Sequence, residues 1–259
     1  MKVSSVRDGL LGDGRRRSRV VAVRKNEAPS APNPSVFAVD LHTHSRFFHL
    51  GRGPTRYDPV GLRANALVAR RRGLDAFAVT NHDYRYTAET SLPTLPGVEV
   101  STTLGHVLVV GPDPPVRTTP GALTPAQAVE LAHDRGCAAI LAHPYRNSAA
   151  RRSDAAFDAV ELNGKNPEHV RRTRRLAARL GCPLVGGSDA HYPFEIGRAF
   201  TRIDVDELTP AAVAAAIRAG DVEPVVDLGR VHRILDRAYT ELHERKGWMD
   251  VVDDGGAKT

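Results

Sequence analysis

Residues 36–44 read Val-Phe-Ala-Val-Asp-Leu-His-Thr-His, an apolar run that ends on two histidines one residue apart. Residues 36–41 have the β-branched and aromatic character of a buried strand. A strand's alternation sends His42 and His44 to one face and turns Leu41 and Thr43 away, so both imidazoles can bind one cation. Outward from this stretch, strand-like runs recur at 76–80, 98–101, 106–110, 138–142, 156–162, 184–187 and 199–203. Helical patterns at 59–72, 125–135, 167–180 and 210–219 lie between them. Each begins at or beside a proline suited to a first helical turn, and several stop before Gly73, Gly136, Gly181 or Gly220. Thr124 and Thr209 are suitable N-caps. Alternating βα units predict a parallel sheet, and the absence of a GxGxxG turn favours a closed or nearly closed barrel over a dinucleotide-binding sheet.

Composition bounds the remaining readings. The chain has 259 residues, 41% hydrophobic and 25% charged, which is ordinary for a globular protein able to bury its own core. It has no apolar run of the ~18 residues that a membrane span needs. Its two cysteines, Cys137 and Cys182, cannot form a disulfide framework and have no thiolate-site spacing, so a reducing cytoplasm is the expected location. The net charge of +6 is concentrated in residues 1–35, where eight basic residues face three acidic ones. That arm is expected to be a disordered tail and linker, ending in the Pro/Ser-rich stretch 28–35. It offers a weak contact for nucleic acid. A catalytic domain is expected over 36–245 and a polar tail over 246–259. The Arg-rich stretch 171–175 reads as a solvated helix face, because Val170, Leu176 and Leu180 are spaced to pack on the other side.

Of 11 histidines, seven fall at or just beyond the ends of expected strands: His42, His44, His49, His82, His106, His143 and His191. In a barrel of βα units the C-terminal strand ends converge on one mouth, so these residues can meet. Thr80-Asn81-His82-Asp83 adds a carboxylate that could orient His82. Glu99 lies within the apolar run Gly97-Val98-Glu99-Val100-Ser101, where an unpaired charge would be costly unless a cation compensates it. A tight turn before Gly105-His106 would bring His106 back beside Glu99. Ala142-His143-Pro144 and Ser188-Asp189-Ala190-His191 end two more strands. Nitrogen and oxygen donors without thiolates suit Zn²⁺, Mn²⁺ or Fe²⁺, and their number implies two or three ions.

The ordered set DLHTH, TNHD, GVEVS, GH, AHP and SDAH, spanning Asp40 to His191, resembles the motifs of the polymerase and histidinol phosphatase (PHP) domain superfamily. The resemblance implies a distorted (β/α)7 barrel with a trinuclear metal site at the C-terminal strand ends. By position, His42, His44, Glu99 and Asp189 would hold a first metal. Glu99 would bridge to a second metal held by His106 and His143, and His49, His82 and His191 would hold a third. Two departures stand out: His49 occupies a position where many members have Asp, and Asn81 replaces the usual Asp of the second motif.

Clustered divalent ions suit hydrolysis of a phosphoester by a metal-activated hydroxide, with Asp189 or His191 influencing proton transfer. The expected substrate is a small phosphomonoester or nucleotide. Arg46, Arg52, Arg146, Lys165 and Arg198 lie near the expected mouth as phosphate contacts, although Arg198 could equally be a salt-bridging arginine. Glu161 and Asn163 could touch the substrate, support the ligands from behind, or cap a loop. Two other readings are a nuclease on short oligonucleotides and a regulatory module with a structural metal site.

Overall fold

The computed structural model describes residues 35–47, 53–146 and 148–227. His49, Arg52, the basic tail before Ser35 and the polar C-terminal segment lie outside the described residues. In chain order the elements are β1 (Ser35–Thr43), α1 (Asp58–Arg71), β2 (Ala76–Val79), β3 (Thr94–Thr102), β4 (Gly105–Val110), α2 (Pro125–Asp134) and β5 (Ala138–Leu141). Then come β6 (Ala159–Asn163), α3 (Val170–Leu180), β7 (Leu184–Gly187), β8 (Ala199–Val205), α4 (Pro210–Ala219) and β9 (Val222–Val226). The helix boundaries follow the local chemistry. Thr124 and Gln127 form a reciprocal capping box at α2, and Thr209 accepts a hydrogen bond from Ala212 N (3.2 Å) at α4. Gly181 and Gly220 end α3 and α4 in the left-handed conformation, with φ of 70° and 86°.

The strands form one nine-stranded sheet in the order β7-β6-β5-β4-β3-β2-β1-β8-β9. It curls into a nearly closed barrel, because β7 at one end of this order returns to β8 near the other. Thr201 Oγ1 accepts from Gly186 N (2.8 Å) and donates to Gly186 O (3.0 Å). Only glycine permits that approach: a Cβ at Gly186 would sit 2.3 Å from the Phe200 carbonyl oxygen.

The expectation of a parallel sheet holds for half of the pairs. β1–β2, β2–β3, β5–β6 and β6–β7 are parallel, whereas β3–β4, β4–β5, β1–β8 and β8–β9 are antiparallel. Strand β4 is reversed because the turn after β3 is too short for a helical crossover. This reversal distorts the regular βα pattern, and it also turns His106, at the start of β4, towards the C-terminal end of β3. β9 escaped the sequence reading because Pro224 and Glu223 interrupt its apolar run, a composition that suits its place at the end of the strand order.

Alternation along the strands divides the core. Leu108, Ile140, Val185 and Ile203 share one cluster with Val213 and Ile217 of α4. Val107, Val109, Leu141 and Val160 face the other way, onto Val129 and Ala132 of α2 and Leu176 of α3. Phe77 and Val79 pack with Leu62 and Ala66 of α1. These rigid layers fix the strand ends from which the polar cluster projects.

Candidate metal centre

Eight of the nine residues expected as metal ligands are described, and all eight converge. Glu99 is at their centre with its side chain only 1% exposed. Its Oε2 faces His42 Nε2 (3.2 Å), His44 Nε2 (3.3 Å) and His82 Nδ1 (3.2 Å). Its Oε1 faces His106 Nδ1 (2.8 Å) and His143 Nε2 (2.9 Å). The expected turn explains His106: Ser101 pairs with His106 across the β3–β4 hairpin, one step from Glu99. On the far side of His42 and His44, Asp189 Oδ1 lies 3.6 Å and 3.3 Å from their Nε2 atoms. His44, His82 and His191 form a further ligand-like triad, with the His44 and His191 rings 4.1 Å apart.

The backbone supports this convergence at a cost in local strain. Among the described residues, Asp83, His143 and Asp189 are the non-glycine residues with positive φ (61°, 24° and 53°). Each follows a strand end, where the chain must turn sharply to aim a side chain; strain of this kind tends to gather at functional sites.

The hydrogen bonding behind the cluster tests whether the residues fit metal ions. The Glu161 carboxylate, fully buried, lies 2.7 Å from His42 Nδ1 and accepts from His143 N (2.7 Å) and Asn163 Nδ2 (3.1 Å). A carboxylate can only accept, so Nδ1 of His42 carries a proton, and it is Nε2 that would present a lone pair to a cation when the ring is neutral. That Nε2 atom faces Glu99, Asp189 and, at 3.3 Å, the Nε2 atom of His44. Electron-rich atoms meeting in a dry site need positive charge between them. One proton relieves one such contact, whereas a divalent cation relieves them together.

The titration behaviour agrees with this need for positive charge. Burial opposes charge on His42, yet Glu161, Glu99 and Asp189 hold its pKa well above the ordinary value. Burial also works against ionised Glu99 and Asp189. His82, His42 and His106 nevertheless hold Glu99 well below the usual carboxylate range, and Arg146, Lys165 and His42 do the same for Asp189. Burial lowers the pKa of His44 and His143, which favours the neutral, ligating form of both rings. The donor set therefore suits divalent cations.

Supporting residues account for several neighbours. Asp40 spans β1 and the segments after β7: its carboxylate accepts from Ser188 N (2.9 Å), His42 N (3.2 Å) and Gly197 N (2.8 Å), while burial pushes its pKa up to about 6. Glu195 accepts from His191 N (2.7 Å) and Tyr192 N (3.0 Å), a role that left no signal in the sequence beyond proximity to His191. Asn81 binds Ser45 through both ends of its amide and reaches Asp58 Oδ1 (3.4 Å), so Asp58 brings a carboxylate to the network around Asn81. Asp83 does not orient His82 as expected. It turns instead to Ser101 N (2.9 Å) and Thr118 Oγ1 (2.8 Å), tying β3 to a neighbouring loop.

The candidate phosphate contacts divide into two groups. Arg146 pairs with Asp189, and Lys165 Nζ lies 2.6 Å from His191 Nδ1 and 3.7 Å from Asp189 Oδ1, so both cations are at the cluster. Arg46 instead lies over the Tyr84 ring (5.5 Å) and points Nη1 at Gly53 O (3.4 Å). Arg198 is wholly buried, with its Cβ beside Gly164 in the wall next to Ser188.

With this geometry established, comparison with known proteins places the chain. Residues 167–222 match the family model described as PHP-associated, a segment that carries Asp189, His191 and Arg198. The structure resembles a Bacteroides vulgatus ATCC 8482 two-domain protein containing a predicted PHP-like metal-dependent phosphoesterase. That match has a TM-score of 0.52 and 18% identity, over 83% of this chain and 72% of the other. The match makes residues 167–222 a PHP-associated segment, and the fold is that of a PHP-like protein. The structure also resembles PsfC from Pseudomonas syringae PB-5123, with a TM-score of 0.61 and 18% identity over 83% of this chain and 99% of the other. Comparison with curated proteins yields no match. Among the described residues no helix is long and apolar enough to cross a membrane.

Proposed function

We propose that this protein is a PHP-type metal-dependent hydrolase that cleaves the phosphoester bond of a small phosphomonoester or nucleotide. The observation that carries the reading is the two-sided engagement of Glu99, whose oxygens face His42, His44 and His82 on one side and His106 and His143 on the other. A carboxylate in that position can bridge two ions, and the triad of His44, His82 and His191 offers a place for a third. Zn²⁺, Mn²⁺ or Fe²⁺ ions held there supply an activated water and a sink for the negative charge that grows on phosphoryl oxygens.

The chain's own residues then do the positioning. Glu161 orients His42, and Glu99 and Asp189 set the spacing of the imidazoles. Arg146 and Lys165, already beside Asp189, provide fixed positive charge for the phosphoryl group. Asp189 and His191 are the proposed proton-handling pair, placed together by the turn after β7.

The test is hydrolysis of p-nitrophenyl phosphate, its bis ester, histidinol phosphate, sugar and nucleoside bisphosphates and short oligonucleotides with Mn²⁺ or Zn²⁺. A chelator provides the control. Chelator-sensitive phosphate release is the expected result. Absence of turnover by fully metallated protein would refute the reading, and preferential cleavage of the oligonucleotides would move it to a nuclease.

A further inference from the structure

Helix α1 carries two apolar faces, and the barrel uses one of them. On the inner side Leu62, Ala66 and Ala69 are wholly buried with Phe77 and Val79. On the outer side Tyr57, Val60, Ala64 and Leu67 follow one another at the three- and four-residue steps that line up along a helix. Tyr57, Val60 and Leu67 are 53%, 56% and 47% exposed. Phe194, also exposed, lies on the short helical turn Pro193–Glu195 that packs against α1. Four of the seven large apolar side chains exposed among the described residues are thus on α1, its N-cap or this turn. Single exposed apolar residues are ordinary, whereas a cluster marks a surface that something covers.

The path of the chain indicates what covers it. The last described residue, Asp227, donates through its N–H to Arg198 O (2.9 Å). The neighbouring Gly197 lies against the side chain of Arg72, since a Cβ there would sit 3.2 Å from Arg72 Cδ. Arg72 is the C-cap of α1 and is within electrostatic reach of the Asp227 carboxylate. The chain therefore leaves β9 at the C-terminal end of α1. Beyond it, Val231, Ile234, Leu235, Ala238, Tyr239 and Leu242 recur at the spacing of an amphipathic helix, and Gly247 follows as a stop. A single helix of this length is marginal in water, so its apolar row needs a surface to pack on. At 1.5 Å per residue the row from 231 to 242 is about 17 Å long and the row from 57 to 67 about 15 Å, a close match. Residues 228–230 suffice for the strand-to-helix connection. Because that connection starts at Arg72, a helix following the α1 row runs back towards Tyr57.

We propose that residues 231–242 form a helix that packs antiparallel on the outer face of α1 and covers Tyr57, Val60, Ala64 and Leu67. The inference is independent of the hydrolase reading. It gives α1 a second packed side, and α1 begins at Asp58, the residue that accepts from Ser45 Oγ (2.5 Å) and Tyr84 Oη (2.6 Å) behind the metal centre.

Hydrogen-exchange mass spectrometry of the full chain tests the proposal without metal or substrate. In the wild type the amides of 231–242 exchange at least about tenfold more slowly than in an unstructured chain. Leu67→Asp, at an exposed position, removes that protection by about tenfold or more, as expected for loss of one well-covered leucine. Leu104→Asp, an exposed apolar site in the β3–β4 turn, leaves it unchanged. Should Leu67→Asp fail to fold by circular dichroism, Val60→Asn gives the same reading. In a Cys182→Ser background, oxidation links Val60→Cys to Ala238→Cys faster than Val60→Cys to Val231→Cys, which fixes the antiparallel direction. Absence of protection over 231–242 in the wild type, protection that ignores Leu67→Asp, or the reverse order of crosslinking would overturn the proposal. So would a dimer, seen by light scattering, that Leu67→Asp dissociates while 231–242 exchange as before, since a second copy would then be the cover.

Discussion

Replacing Glu161 with Gln offers the sharpest test of how the centre is organised. The substitution preserves size, and Glu161 touches the expected ions only through His42 and the loop of His143. Its two oxygens face two donors, His42 Nδ1 at 2.7 Å and His143 N at 2.7 Å, and the site is fully buried. A glutamine amide has one accepting end, so either rotamer sets an NH₂ group against a buried N–H. If the NH₂ faces His42, the ring must shift its proton to Nε2, the atom aimed at Glu99 and Asp189, and it ceases to be a ligand. If the NH₂ faces His143 N, the loop that presents His143 must move. Partners of metal-bound histidines are typically worth 10–100-fold in metal affinity, or about 1.4–2.7 kcal/mol. The expected outcome for Glu161→Gln is therefore a fall in Mn²⁺ or Zn²⁺ affinity of about that size, with the fold retained. Chelator-competition titration measures it, and circular dichroism checks folding. Wild-type metal affinity in a folded Glu161→Gln protein would refute the claim that Glu161 sets the ligating state of His42.

Other perturbations probe neighbouring links. Glu99→Ala removes the carboxylate shared by both sides of the cluster, so bound metal measured by elemental analysis and phosphatase activity should both fall by at least about 100-fold, more than loss of an orienting partner. Divalent metal at about 100 times its Kd should raise stability by about 2.7 kcal/mol, seen as a rise in Tm that chelator reverses; an unchanged Tm would contradict a preformed site. Asp40→Asn places an amide against the N–H groups of Ser188, His42 or Gly197, and should cost about 1–3 kcal/mol in a urea titration for each donor left unsatisfied. Gly61→Ala puts a Cβ 1.8 Å from the Ser45 carbonyl oxygen, backbone that cannot swing away. A loss of about 1–3 kcal/mol is expected from that overpacking, and native-like stability would show that α1 can shift at little cost.

Much of this architecture was legible because strand ends and metal donors leave strong local signals. The run leading into His42 and His44, the proline-started helices and the glycine stops placed eight strands and four helices where the structure has them. The glycine-led turn before His106 correctly predicted its return to Glu99. What stayed hidden was set by distant contacts. Nothing local distinguishes Glu161 as a partner of His42, because the pairing spans 119 residues and depends on β6 and β1 lying on neighbouring walls of the curled sheet. Asp83 misled for the converse reason: sequence adjacency to His82 suggested partnership, but its left-handed backbone aims the carboxylate at Ser101 and Thr118. Arg46 and Arg198 were near the mouth in sequence, yet one lies over Tyr84 and the other is enclosed beside Gly164.

The reversal of β4 connects the departure in topology to the proposed chemistry. In a strictly parallel barrel the residue following Glu99's strand would leave the mouth through a helix and return from the opposite end. Here the chain turns back at once, and His106 arrives level with Ser101 on the neighbouring strand. That places an imidazole on the Oε1 side of Glu99 where His143, from the end of β5, also arrives. The opposite oxygen is already taken by His42, His44 and His82 from β1 and the segments after it and β2. The hairpin therefore gives this buried carboxylate imidazole partners on both of its oxygens, the arrangement that the proposed bridging role needs.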